Sequence, residues 1–272
     1  MAFTLAALSD EIAPDLATAL LVMREEGIGE VEVRTVAGKN VLDLTDDEAV
    51  RSYGEIATAG FRVSGLASPI GKSSIEQPGA YEAGRLRRAL ALCTIFHTSR
   101  IRLFSFYPPA DGARAPEAFL PEVVARLRAM AAKAAAAGVE LVLENEFRLV
   151  GDVPSRIVHI LAEVDSPALR FAWDPGNFVH SGVERPFDDA WPLLAAFTTC
   201  GHVKDLRRGG DHVPVGQGDG QWPQLVAALA QRGGVPLVIE PHLKMARHST
   251  GYSGPELFRQ AVAALNALLT TA

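Results

Sequence analysis

Short apolar runs alternate along the whole chain with longer segments in which apolar residues recur at helical spacing. The apolar runs lie at residues 3–9, 30–35, 62–68, 100–106, 139–145, 169–173, 201–205 and 236–240. They have the length of strands and are mostly continuous, which is typical of parallel strands buried on both faces. The segments between them predict helices at residues 15–26, 45–59, 81–96, 116–137, 154–164, 188–197, 222–232 and 255–269.

The ends of the predicted helices carry recognisable signals. Thr45 precedes three acidic residues and predicts an N-cap, because its hydroxyl can accept from a free amide while the acids complement the helix dipole. Gly27, Gly60, Gly138 and Gly233 follow predicted helices and suit the left-handed conformation that ends many helices. These signals support the alternation of strand and helix.

Eight such alternations predict an α/β fold in which helices cover a parallel sheet. The competing architecture is an open doubly wound sheet. It is disfavoured because no GxGxxG motif follows the first strand, and because polar residues end several strands instead of meeting at one switch point. The chain has 272 residues and no linker or low-complexity stretch. We therefore predict a single (β/α)8 TIM barrel domain over residues 1–272.

Composition narrows the classes of function. Hydrophobic residues make up 48% of the chain, which is enough for a large core. The net charge of −6 argues against mainly electrostatic binding of nucleic acid. No uncharged run reaches the roughly 18 residues of a membrane span, and Cys93 and Cys200 form no CxxC motif. We therefore expect a cytoplasmic protein that binds a small molecule and neither nucleic acid nor a membrane. A homodimer and a homotetramer are the possible assemblies.

Four polar residues stand at the ends of successive predicted strands. Glu144 ends LVLE, Asp174 follows FAW, His202 lies in GHVKD and Glu240 ends LVIE. Closure of the strands into a barrel would bring these side chains to one rim. Crowded carboxylates repel each other, and a divalent cation removes that cost. Because three carboxylates and one imidazole suit Mn²⁺, Mg²⁺, Co²⁺ or Zn²⁺, the pattern predicts one divalent metal ion held by these four residues.

Further candidates follow from the alternation of side chains along strands. Residues two apart on a strand share a side, and Glu146, Lys204 and His242 stand two residues after a candidate metal ligand. We expect these three residues to bind substrate. On the second predicted strand, Glu32 and Arg34 alternate with apolar residues, which predicts a buried structural ion pair.

The whole pattern resembles the xylose isomerase-like TIM-barrel superfamily of sugar-phosphate isomerases and epimerases. The similarity extends over nearly the whole chain, and its specific motifs are LVLENE, WDPGN, HVKD, VPVGQGD and VIEPH in the second half. The superfamily includes D-tagatose 3-epimerase and inosose-processing enzymes. The resemblance implies a single divalent metal, often Mn²⁺. It also implies isomerisation or epimerisation of a small keto-sugar, sugar phosphate or inosose.

The resemblance also implies roles for individual residues. In the sugar epimerases the two metal-binding glutamates, which match Glu144 and Glu240, move protons at the substrate carbon. An arginine six residues after the metal histidine contacts substrate in those enzymes, and Arg208 stands at that spacing from His202. The residue three positions after the metal aspartate also contacts substrate, and Asn177 occupies that position.

Two departures from the family pattern affect the expected chemistry. Asn177 stands where the family often has histidine, and Val150 replaces a glutamate six residues after the first metal glutamate. Both positions normally touch the substrate, so a lyase is the alternative. In a lyase the same enolate expels a β-hydroxyl, as in inosose or dehydroshikimate dehydratases, or a β-linked aglycone, as in 3-keto-glycoside cleavage.

Overall fold

The computed structural model describes residues 3–243 and 253–271. At its centre, eight parallel strands form a closed barrel in which the first strand pairs with the last. The strands are β1 Leu5–Leu8, β2 Glu30–Val33, β3 Arg62–Ala67, β4 Arg100–Leu103, β5 Glu140–Glu144, β6 Leu169–Trp173, β7 Thr198–Val203 and β8 Leu237–Ile239. The predicted (β/α)8 TIM barrel is thus confirmed. Of the predicted domain, residues 1–2, 244–252 and 272 lie outside the described residues, and its extent over 1–272 stays a prediction.

Helices surround the barrel. They are α1 Leu16–Glu25, α2 Asp46–Thr58, α3 Gly79–Ile95, α4 Leu120–Ala136, α5 Pro154–Val164, α6 Pro175–His180, α7 Pro186–Leu194, α8 Trp222–Gln231 and α9 Pro255–Thr271. Two of them, α6 and α7, follow β6, and each of the other seven follows a different strand. Within the described ranges, no helix is long and apolar enough to cross a membrane.

Most predicted boundaries hold to within a few residues. Thr45 and Glu48 form both bonds of a capping box, and the four glycines at predicted helix ends all have positive φ. Strand β7 differs from its predicted start at residue 201 and begins at Thr198. The reason is local, because a 3₁₀ turn at Ala195–Phe197 leads directly into the strand.

Of the nine α-helices within the described residues, the short helix α6 is the one that the apolar spacing does not predict. It begins in the DPGN motif immediately after β6. The Asp174 carboxylate accepts a hydrogen bond from the Asn177 backbone N at 3.0 Å and so caps the helix. Pro175 occupies the first turn, where its missing N–H costs nothing. The chain therefore passes directly from β6 through the Asp174 cap into α6.

Side chains alternate between the two faces of each strand. One set packs against the surrounding helices and forms the core, and the other set faces the barrel interior. The outward residues of the central cluster include Val31, Val33, Ile101, Leu103, Leu141, Leu143, Leu237 and Ile239. The polar residues that lie next to them in sequence contact each other across the interior, among them Glu32, Arg102, Glu144, His202 and Glu240. The strand period thus places the candidate metal ligands on the inner face.

A close backbone contact joins the loops after β3 and β4. Gly71 has φ +81°, and a Cβ atom there would lie 2.1 Å from the carbonyl oxygen of Phe104. The Phe106 backbone N also donates a hydrogen bond to the Gly71 carbonyl oxygen, at 2.9 Å. Only glycine fits this approach, because both the conformation and the space exclude a side chain.

We expect Gly71→Ala to lower the free energy of unfolding by about 3 kcal/mol or more, because the methyl group adds a backbone clash to an unfavourable φ. Gly27→Ala is the matched control. Gly27 has a similar φ of +72° but no atom within 4 Å of the added Cβ, so it should cost only about 1 kcal/mol. Urea unfolding of both variants tests the difference, and equal losses would show that the contact at Phe104 is unimportant.

Candidate metal centre

Four buried side chains meet at the C-terminal end of the barrel. Glu144 ends β5, Asp174 follows β6, His202 lies in β7 and Glu240 follows β8. Each residue is at most 3% exposed. One ligand atom from each of the four lies within 4.8 Å of those of the other three. The barrel closure therefore brings together the residues that the sequence pattern singles out as metal ligands.

His202 is the only imidazole in this group. Its Nδ1 lies 3.0 Å from Glu240 Oε2 and 3.5 Å from Glu144 Oε2, and its Nε2 lies 3.9 Å from Glu32 Oε1. Burial alone would lower the pKa of His202, but the surrounding carboxylates outweigh it and raise the pKa to about 9. In the metal-free site the ring therefore carries a proton that a metal must replace.

Asp174 is held by donors on both carboxylate oxygens. Oδ2 contacts Lys204 Nζ at 2.6 Å and accepts from Asn177 Nδ2 at 2.9 Å. Asn145 fixes the backbone of Asp174 with one bond in each direction, at 2.8 and 3.0 Å. Burial raises the pKa of Asp174 to about 7 against the opposing effect of Lys204, with Glu144 and Glu240 contributing to the rise.

Asn177, expected to bind substrate, faces the metal-ligand group. In addition to Asp174, its Nδ2 lies 3.3 Å from Glu144 Oε1 and 2.9 Å from the Asn145 carbonyl oxygen. An amide NH₂ has two hydrogens, so these acceptors leave it no free donor. Asn177 thus ties two candidate ligands together. Val150, at the second position where the chain departs from the family pattern, is fully buried in the core.

Two arginines that the sequence patterns do not assign to the site lie within it. Arg102 Nη1 is 3.2 Å from Glu144 Oε2 and 3.9 Å from Glu240 Oε2. Arg34 Nη1 is 2.6 Å from Glu240 Oε1. The expected ion pair of Glu32 with Arg34 is not found among the described residues. The sequence feature that could have identified Arg102 is a charged residue within a short apolar run, which becomes the buried strand β4.

A second carboxylate and a histidine extend the network from Glu240. Glu11 contacts Arg34 Nη2 at 2.8 Å and His242 Nδ1 at 2.7 Å, and His242 Nε2 lies 3.3 Å from Glu240 Oε1. Burial would lower the pKa of His242, but Glu11 and Glu240 raise it to about 9. Sequence reasoning identified His242 but not Glu11, whose only signal is its place directly after the first strand.

The remaining expected substrate residues lie at or beyond the rim. Glu146 pairs with Lys72 at 2.7 Å and keeps 20% of its side chain exposed. Arg208 is exposed, its backbone N donates to Asp219 Oδ2 at 2.8 Å, and its guanidinium donates to the Glu184 carbonyl. None of the bonds found for Arg208 within residues 3–243 and 253–271 reaches the metal-ligand group.

Negative charge exceeds positive charge in the centre when His202 is neutral, the form in which it can bind a metal. Six buried carboxylates then face four cations, if His242 is counted as charged. The carboxylates are those of Asp10, Glu11, Glu32, Glu144, Asp174 and Glu240. The cations are Arg34, Arg102, Lys204 and His242. The excess of two negative charges equals the charge of one divalent cation. The negative charge of Glu144 and Glu240 acts in the same direction as burial, and both raise the pKa of Asp174.

Buried polar atoms that lack a hydrogen bond also indicate a metal site. Among the described residues, Glu144 Oε2 and His202 Nε2 are buried without a hydrogen-bond partner, although buried polar atoms normally have one. Three carboxylates and one imidazole form a donor set suited to a divalent metal. The buried group of Glu144, Asp174, His202 and Glu240 can therefore bind such an ion.

Comparison with known proteins extends this description. No curated protein matches the chain. Among solved structures, it is similar to the IolI protein with a bound zinc atom (TM-score 0.77, 15% identity, 98% of each chain covered). It is also similar to the probable 3-DHS dehydratase AsbF from Bacillus anthracis (TM-score 0.74, 15% identity, 98% of this chain and 99% of that chain). The D-psicose 3-epimerase from Clostridium cellulolyticum H10 is a third such structure (TM-score 0.71, 14% identity, 98% and 99% covered).

At these identities the solved structures establish the fold alone. The sequence profile of one family, the xylose isomerase-like TIM barrel, matches residues 21–268, which is most of the chain. The match includes every barrel strand from β2 to β8 and all four residues of the candidate metal centre. The chain therefore belongs to the xylose isomerase-like TIM barrel family.

Proposed function

We propose that this protein is a metal-dependent isomerase or epimerase of a small polyhydroxylated carbonyl compound, such as a keto-sugar, a sugar phosphate or an inosose. One observation carries the proposal. Two glutamates, Glu144 and Glu240, share a buried group with Asp174 and His202 whose ligand atoms lie within 4.8 Å of one another. Proton transfer beside a carbonyl needs two such basic groups near one electrophilic centre.

Glu144, Asp174, His202 and Glu240 would hold the metal, for which we propose Mn²⁺. A donor set rich in oxygen with a single imidazole suits Mn²⁺ and also accommodates Mg²⁺, Co²⁺ or Zn²⁺. When bound, a divalent ion supplies Lewis acidity toward a substrate carbonyl and its neighbouring hydroxyl. The zinc atom bound in the IolI structure, which has the same fold, supports a metal in this barrel.

The chain's own residues would move the proton. One of Glu144 and Glu240 removes the proton from the carbon next to the carbonyl, which leaves an enediolate of the substrate. The other glutamate returns a proton at the same or the neighbouring carbon. Arg102, 3.2 Å from Glu144 and 3.9 Å from Glu240, places a positive charge near both carboxylates. Burial excludes water and preserves the reactive enediolate.

Residues around this pair would orient the substrate. His242 and Lys204 lie beside the candidate ligands and Glu146 lies at the rim, so each can reach a substrate hydroxyl. Asn177 would act by holding Glu144 and Asp174 in place. Arg208 would contact the substrate only after its guanidinium leaves the Glu184 carbonyl.

A lyase is the second candidate function. The Asn177 amide has no free donor, and Val150 is buried in the core. Two positions that contact substrate in the related epimerases therefore offer different chemistry in this protein. The same enediolate can expel a β-hydroxyl or a β-linked aglycone. The resemblance to structures of an epimerase and of a probable dehydratase supports both candidates.

A single assay separates these functions. The Mn²⁺-loaded protein is incubated in D₂O with a panel of keto-sugars, inososes and 3-keto-glycosides, and the products are analysed by mass spectrometry and NMR. We expect a product of unchanged formula that carries one solvent deuterium on carbon, because a glutamate exchanges its proton with water. A product lighter by one water, or a released aglycone, would identify the lyase. Turnover without deuterium incorporation would indicate hydride transfer and contradict the glutamate mechanism. Metal-stripped protein is the control.

A further inference from the structure

We infer that Lys204 is an internal counter-ion that competes with the divalent metal for Asp174, and that its ammonium group leaves Asp174 when the metal binds. The inference rests on the proposed metal site and goes beyond it. It assigns to Lys204 control over metal affinity, in addition to any contact with substrate.

The contacts of Asp174 show the competition. Lys204 Nζ lies 2.6 Å from Asp174 Oδ2, and Asn177 Nδ2 donates to the same oxygen at 2.9 Å. A carboxylate oxygen has two lone pairs, so both are in use. Lys204 is 4% exposed and Asp174 is fully buried. A metal ion that binds Oδ2 must therefore displace one of the two donors.

The ammonium is the donor that can leave. Asn177 is held by its position in α6 and by acceptors on three residues. The backbone of Lys204 is also fixed, because Trp222 Nε1 donates to its carbonyl oxygen at 3.1 Å. Its Cγ packs so closely on α6 that a Cβ added to Gly176 would lie 3.1 Å away. Beyond Cγ the lysine stem is flexible, so the ammonium can leave Asp174 without a shift of the backbone.

Electrostatics gives the direction of the movement. An ammonium and a divalent cation on one buried carboxylate repel each other strongly, since little solvent screens them. The metal therefore drives the ammonium away from Asp174 Oδ2, the oxygen that it contacts at 2.6 Å.

The test measures binding of Mn²⁺ alone, without substrate, by calorimetry and by competition with a chelator. We expect Lys204→Met to bind Mn²⁺ about tenfold more tightly than the wild type or better, because the competing charge is gone. Lys204→Gln keeps a hydrogen-bond donor for Asp174 but removes the charge, so it should also bind Mn²⁺ more tightly than the wild type. It replaces Lys204→Met in the test if that variant does not fold. Lys39→Met removes one positive charge from an exposed pair with Glu48 and should leave the Kd unchanged.

A Kd for Lys204→Met and Lys204→Gln that is equal to or weaker than that of the wild type would overturn the competition itself. If wild-type protein binds no metal at all, the proposed function fails instead, so the two failures are distinguishable.

Discussion

Replacing Glu144 or Glu240 with glutamine should reduce turnover by about 10²–10⁴-fold, the contribution typical of a positioned acid or base. Glutamine keeps the size of the side chain and one carbonyl oxygen, but it cannot take or return a proton. Glu144 is placed at the end of β5 and Glu240 just after β8, so they approach the same interior from two sides. Loss of either should also abolish incorporation of solvent deuterium into product, because the first half-step needs a base and the second needs a proton donor.

The control for this prediction is Glu82→Gln. Glu82 is a fully buried carboxylate that pairs with Arg85 on α3, outside the metal centre, so its loss should leave turnover unchanged. Metal content must be measured alongside activity for Glu144→Gln and Glu240→Gln. Retained metal with lost exchange supports proton transfer. Unchanged turnover in either variant would exclude that glutamate from the chemistry.

We expect Asp174→Asn and His202→Ala to lose tightly bound metal and activity together while the barrel stays folded. Each change removes one of four ligands at the C-terminal end of the barrel, away from the apolar core that carries most of the stability. Asp174→Asn should still lower the melting temperature, because it leaves the buried Lys204 ammonium without its carboxylate. Elemental analysis after dialysis, with thermal melting and circular dichroism, measures both outcomes. The wild type should retain one divalent ion per chain.

This prediction includes a pH dependence in the wild type. The pKa of His202 is raised to about 9 in the metal-free centre, so below that pH a proton occupies the ring and competes with the metal. Metal affinity should therefore fall as the pH drops from 9 to 7, by about tenfold per unit for a single competing proton. If both variants unfold, these residues have a structural role and not a ligand role. If affinity does not change with pH, proton competition at His202 is excluded.

The barrel itself could be predicted because its signals are local. Eight apolar runs separated by helical segments specify the fold, and short-range caps such as Thr45 mark the boundaries. The strand period of two also specifies which residues face inward, so Glu144 and His202 could be assigned to one interior without knowledge of any contact. The family resemblance added roles to these positions, which remain predictions.

Other parts of the site depend on contacts between distant parts of the chain. Glu11 and His242 are 231 residues apart in sequence, and no local pattern connects them. Arg34 pairs with Glu240, 206 residues away, and not with Glu32 two residues earlier, because barrel closure places β8 beside β1 and near β2. Long charged side chains reach whichever partner the packing brings near.

The sequence by itself determined the architecture, the inward positions of the candidate ligands and the family, because periodicity, capping and motif spacing are properties of short segments. Only the tertiary structure decided how charge is distributed in the centre. It placed Arg102 against Glu144, Lys204 against Asp174 and Asn177 between two ligands. These pairings follow from the closure of eight strands into one barrel, which sets distances between side chains that sequence separation does not encode.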